Sequence, residues 1–144
     1  MQLSKNFSLE ELTTSSTHLP NVPSSADIVR LTALVNHVLQ PLRDLYAKPI
    51  KINSAFRSII VNKAVGGAAT SQHLKGEAAD LEGDDNAHLF RLISEHFPFD
   101  QLIWEGGNDQ QPDWVHVSYK EKDNRKEMLR MKIVKGKKRY EIIS

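Results

Sequence analysis

The 144-residue chain contains no cysteine. Disulfide scaffolding, thiolate metal sites and cysteine nucleophiles are therefore excluded, and any bound metal must take nitrogen and oxygen ligands. Neither sign of charge is in excess, since 19 basic against 18 acidic side chains leave a formal net charge of +1. A nucleic-acid binder would normally carry a basic surplus gathered on one face, so nucleic acid is not an expected partner. No apolar run approaches the roughly 18 residues of a membrane-spanning helix. The amino terminus, Met1 to Phe7, also lacks the continuous apolar stretch of a secretory signal. There are no internal repeats, linkers or low-complexity tracts. What remains is ordinary globular composition, 40% hydrophobic and 26% charged, long enough for one domain over residues 1–144 with a real core.

Periodicity divides the chain into helices first and strands last. Ser8 with Glu11 forms a capping-box pattern, which predicts a short helix to about Thr14. Residues 15–25 read as a loop. Ile28, Leu31, Leu34, Val35, Val38, Leu39, Leu42 and Leu45 then recur at helical spacing, with Pro41 expected to kink the helix near its end. Ile50–Ala55 reads as a strand delivering Arg57, and a brief helix over Ile59–Val65 runs to Gly66-Gly67. A short strand over Ala79–Leu81 and a helix from Asp84 or Asp85 to about Phe97 follow. The remaining strands are Gln101–Trp104, Trp114–Tyr119 and Leu129–Val134, with a turn at Lys135-Gly136-Lys137 leading into Tyr140–Ile143. This order predicts an α+β domain with a central antiparallel sheet and helices packed on it.

Chemistry concentrates in two segments, Ser71-Gln72-His73-Leu74-Lys75-Gly76-Glu77-Ala78-Ala79-Asp80 and Asp113-Trp114-Val115-His116. They offer two imidazoles and a carboxylate, which suits zinc held by three protein groups with its fourth position left for water. His73 and His116 are the foremost ligand candidates. His18, His37, His88 and His96 have no such neighbourhood and read as ordinary surface or hydrogen-bonded histidines. Strand alternation puts Trp114, His116 and Ser118 on one face and Val115, Val117 and Tyr119 on the other, so His116 faces a cleft while its strand is anchored. Asp80 lies in an apolar run, where a carboxylate must be paired or metal-bound. Arg57 is the rival partner for it, and zinc ligation is preferred. Asp113 is the first candidate for the general base. Along a regular strand, however, it would face away from His116, so it must stand in the loop after Pro112. Glu105, at the end of its own strand, is the runner-up, and Glu77 reads as solvent-facing.

The order S-x-H-x-x-G-x-A-x-D followed by D-x-V-H resembles the zinc D-alanyl-D-alanine carboxypeptidases. That group includes vancomycin-resistance dipeptidases, phage endolysin endopeptidases and, more distantly, hedgehog amino-terminal domains. The resemblance runs from about Pro41 to Tyr119. It takes in Ser54-Ala55-Phe56-Arg57-Ser58, Val65-Gly66-Gly67-Ala68 and Phe99-Asp100-Gln101-Leu102-Ile103-Trp104-Glu105. It implies a small mixed fold, Zn2+ on His73, Asp80 and His116, and hydrolysis of an amide bond in peptidoglycan stem peptides. By motif position it supports Asp113 as the base. It also implies that Arg57 binds a substrate carboxylate or stabilises an oxyanion, and that Ser71 donates a hydrogen bond to substrate.

Within this resemblance the scissile bond stays open between a terminal D-Ala-D-Ala bond, the free dipeptide and an internal bond. A monomer is expected, made in the cytoplasm and acting on the cell wall after release, as a phage or prophage lysis enzyme does. The alternative is a non-catalytic, zinc-containing binding module of the hedgehog type. Asp113 and Arg57 argue against it, because such a module has no need of a base or an oxyanion donor.

Overall fold

Six strands, β1 (Lys51–Ser54), β2 (Ala78–Glu82), β3 (Gln101–Glu105), β4 (Trp114–Ser118), β5 (Glu127–Val134) and β6 (Lys137–Ile142), make a single sheet in the order β1-β2-β4-β3-β5-β6. The structure is a computed structural model and describes residues 1–143. The helices are α1 (Leu9–Leu12), α2 (Ser25–Leu34), α3 (Gln40–Tyr46), α4 (Ile59–Ala64) and α5 (Asn86–His96). The α+β expectation holds.

The sheet departs from the antiparallel expectation in one pairing, because β3 and β5 run parallel. The reason lies in how residues 119–126 cross between strands. Strand β4 ends where β3 begins, and the connection passes beneath that end before starting β5 alongside it. Fully buried Asp100 pins the crossing, accepting hydrogen bonds from the backbone and guanidinium of Arg125 at 2.7–3.1 Å. Those bonds outweigh burial and hold the Asp100 carboxyl at about 2.

The long amphipathic helix forms as its periodicity predicts, and the kink takes the form of a π turn over Val35–Leu39 joining α2 to α3. A proline ring clashes with the carbonyl four residues back and supplies no N–H. One wide turn just before Pro41 absorbs this, with the Gln40 amide bonding to Val35 five residues earlier. The helix ends at Ala47, which adopts a left-handed conformation (φ 62°).

Leu31, Leu34, Val35, Leu39 and Leu42 pack with Leu89 and Ile93 against Ala79, Leu81, Leu102, Val115 and Val117. These strand residues share one sheet face, so alternation sends their neighbours to the other. On that opposite face Asp80 lies beside His116, His116 beside Ile103, and Ile103 beside Leu129. The core thus holds the sheet from behind, and the polar residues of β2, β3 and β4 look into an open cavity.

Candidate metal and active site

A cavity of about 750 Å³ opens on that face, lined by Arg57, Ser71, His73, Asp80, Glu105 and His116 among others. Two of the polar groups are direct cross-strand partners, Asp80 on β2 and His116 on β4. Their side chains meet with His116 Nδ1 3.0 Å from Asp80 Oδ1.

His73 arrives from outside the sheet, on a 3₁₀ turn over Gln72–Lys75. The Ser71 hydroxyl caps this turn by accepting from the His73 amide at 3.2 Å. Gly76 closes it with φ +74°, and a side chain there would come within 2.8 Å of the Asp27 carbonyl and 3.0 Å of Leu31. The motif glycine is therefore needed both for its backbone angle and for its lack of bulk. The turn also folds Glu77 inward, so this residue, read as solvent-facing from sequence, is in fact buried. Its backbone is tied on both sides, the amide to Gln72 and the carbonyl to the amide of Tyr119.

His73 Nδ1 lies 2.6 Å from the Ala55 carbonyl oxygen. A carbonyl only accepts, so Nδ1 carries the proton and donates, which leaves the Nε2 lone pair free for a metal. That Nε2 is 3.4 Å from Asp80 Oδ2. One potential ligand atom from each of His73, Asp80 and His116 lies within 4.8 Å of the others. Tetrahedral zinc with bonds of about 2.0–2.2 Å separates its ligands by roughly 3.4 Å, so the donor set and its spacing fit that ion. Burial lowers the pKa of His73 and keeps its imidazole neutral, the form that ligates. For Asp80 burial pushes upward, but the hydrogen bond from His116, with the His73 imidazole beside it, prevails, and the carboxyl is held well below its ordinary range.

Arg57 enters from the segment after β1. Its Nε donates to the Ser54 hydroxyl at 3.1 Å, Nη1 to Asn62 Oδ1 at 3.3 Å, and Nη2 stands 3.5 Å from Asp80 Oδ2. The sequence reading posed salt bridge and ligation as rivals for Asp80. The structure brings both to the same carboxylate, with the guanidinium and His73 Nε2 each approaching Asp80 Oδ2. Asn62 escaped the sequence reading although it is buried on α4 and also donates to the Ala68 carbonyl at 2.9 Å. The available signal was a lone amide inside the apolar helix Ile59-Ile60-Val61-Asn62.

The two carboxylates considered as base part company. Glu105 faces the cavity, is buried, and has its pKa raised by that burial, with Asp80 adding to the rise and His116 opposing it. Asp113 is exposed and stands outside the cavity. Its Oδ2 accepts from the Gly107 amide at 3.1 Å, closing the loop between β3 and β4. The cause is the alternation noted above: Trp114 and His116 face the cavity, and Asp113 is turned back into the loop. The other four histidines lie elsewhere. His37 stacks on Tyr119 at 4.8 Å, His88 meets Tyr46, His96 lies beside Phe97, and His18 is exposed.

Two histidines and a carboxylate around an open cavity, with a further buried carboxylate beside them, are the groups from which hydrolytic metal sites are built. A family model described as Peptidase M15 matches residues 5–118. The chain belongs to the peptidase M15 family, and by family it is a zinc metallopeptidase. A curated relative, the zinc D-Ala-D-Ala carboxypeptidase of Streptomyces albus G, is 41% identical over 78 residues, which is 53% of this chain. The match spans 31% of that relative's length.

Proposed function

We propose that this chain is a zinc-dependent peptidase that hydrolyses an amide bond in peptidoglycan stem peptides, with a D-Ala-D-Ala-type bond as the first candidate. The observation that carries the reading is buried Glu105 facing the same cavity as His73, Asp80 and His116. Those three residues would hold the ion. Zinc, when bound, supplies Lewis acidity and a water of lowered pKa. Glu105 would accept the proton of the attacking water on its carboxylate and return it to the leaving amine. Its raised pKa suits both halves of that task. Arg57, held by Ser54 and Asn62, presents its guanidinium to a substrate carboxylate or to the developing oxyanion. Ser71, at the cavity wall, is placed to hydrogen-bond the peptide.

A binding module of the hedgehog type has no use for a buried carboxylate beside the metal ligands, and Glu105 therefore favours catalysis. An internal bond is the second reading for the substrate, supported by a cavity that continues past the metal ligands towards Gln101 and Arg125 on one side and Lys138 on the other. Action on the cell wall after release belongs to the same proposal.

Digestion of purified peptidoglycan by the zinc-loaded chain, with mass spectrometry of the new termini, tests the reading. Release of D-alanine supports a carboxypeptidase, and new internal termini support an endopeptidase. Absence of any zinc-dependent product would overturn it.

Arg57→Lys should retain zinc and fold but lose kcat/KM. Lysine keeps the charge without the planar fork, so the bonds to Ser54 and Asn62 and the aim of the group are lost together. Hydrogen bonds to charged groups contribute about 1.5–3 kcal/mol, which corresponds to a loss of roughly ten- to hundredfold. Activity within a factor of about two of the parent would reduce Arg57 to an ordinary ion-pair partner.

A further inference from the structure

The family match ends at Ser118, and the β5–β6 hairpin lies beyond it. The hairpin is nevertheless built into the site wall. Residues Glu127–Met131 of β5 pair with β3, bringing Leu129 beside Ile103 and Met131 beside Glu105. Strand β6 follows, with Tyr140 opposite Met131 and Lys138 opposite Ile133. Alternation then places Lys138 and Tyr140 on the face that carries Asp80 and His116. Both line the cavity. The charges of Glu105 and Asp80 act on the Tyr140 phenol, and the charge of Lys138 acts on Glu105.

On the face away from the cavity, Lys132 pairs with Glu141 at 3.7 Å and Arg130 pairs with Asp109. Among the described residues the Lys138 ammonium has neither an ion-pair nor a hydrogen-bond partner. A cation that lines the cavity without an ion-pair partner is available to an anionic ligand.

We infer that the β5–β6 hairpin completes the substrate site, with Lys138 receiving a carboxylate of the peptide remote from the scissile bond and the Tyr140 hydroxyl donating to a peptide carbonyl on the way to it. The preferred substrate class is therefore an acidic peptide. This inference rests on the peptidase reading for the identity of its ligand.

The test uses zinc-loaded chain and a set of stem-peptide analogues in which each carboxylate in turn is replaced by carboxamide. Binding is measured by calorimetry and turnover by product release, for the parent, Lys138→Gln, Tyr140→Phe and Lys137→Gln. Lys137 is on the same strand but the opposite face, so its loss removes the same charge from outside the cavity. The parent should prefer one carboxylate over its amide by about three- to tenfold in binding. Lys138→Gln should abolish that preference and Lys137→Gln should keep it. Tyr140→Phe should weaken all peptides by about two- to tenfold, the range of one neutral hydrogen bond. No preference in the parent, a preference intact in Lys138→Gln, or an equal loss in Lys137→Gln would each overturn the inference. Discrimination that depends on Lys138 without turnover of any peptide would support the subsite and overturn the peptidase reading instead.

Discussion

Glu105→Gln should fold, keep its zinc, and lose about a hundred- to ten-thousandfold in kcat, the usual contribution of a general base. The amide preserves the shape of the side chain but cannot accept a proton. Asp113→Asn is the necessary companion. Its amide oxygen can still accept from Gly107, so the loop between β3 and β4 should close as before and activity should stay within a few-fold of the parent. Both variants must be compared at matched zinc occupancy, because a lost ion would imitate a lost base. If Asp113→Asn were the dead enzyme and Glu105→Gln the active one, the roles would be exchanged. If both remained active, the mechanism drawn from this cavity would be wrong.

The second large effect is on metal retention. His73→Ala and His116→Ala should each lose most of the bound zinc, read as metal per chain after dialysis, and should lose the stabilisation that zinc confers on the parent. The three ligands come from a 3₁₀ turn and two adjacent strands, so a bound ion ties separate segments together and its binding energy adds to folding. The two variants should differ without metal. Removing His73 deletes the bond to the Ala55 carbonyl and opens a buried space, whereas His116 is less enclosed. The His73 variant should therefore melt lower even in chelator. Full zinc retention by both would remove the proposed site.

Much of the site could be read without coordinates. The imidazoles of His73 and His116 and the carboxylate of Asp80 sit in short segments whose spacing is itself informative, and strand alternation correctly gave Trp114, His116 and Ser118 a common face. The same alternation warned that Asp113 faces the other way, while motif position pulled towards it. Glu105 owes its place on the cavity face to the register of β3 against β4, where it stands opposite Trp114, and register is a non-local property. The parallel β3–β5 pairing was hidden for a related reason. It depends on Asp100 capturing Arg125 across a loop, and that contact has no periodic signature in the chain. Asn62 and Glu77 were missed because their burial is created by packing around the metal turn.

Among the described residues the outer edge of β6 has no pairing strand, and Ile133 and Ile142 of the hairpin are 66% and 74% exposed. Such an edge invites a second chain to add a strand, the first step of aggregation. Lys137, Lys138 and Arg139 stand in succession along this border, and two copies meeting there in in-register parallel pairing would bring cations against cations. The lysine placed for substrate thus also acts as a gatekeeper for colloidal behaviour. Engineering the hairpin to accept neutral peptides would carry a liability in solubility, and a compensating cation at Ile142, on the same border, is the natural remedy.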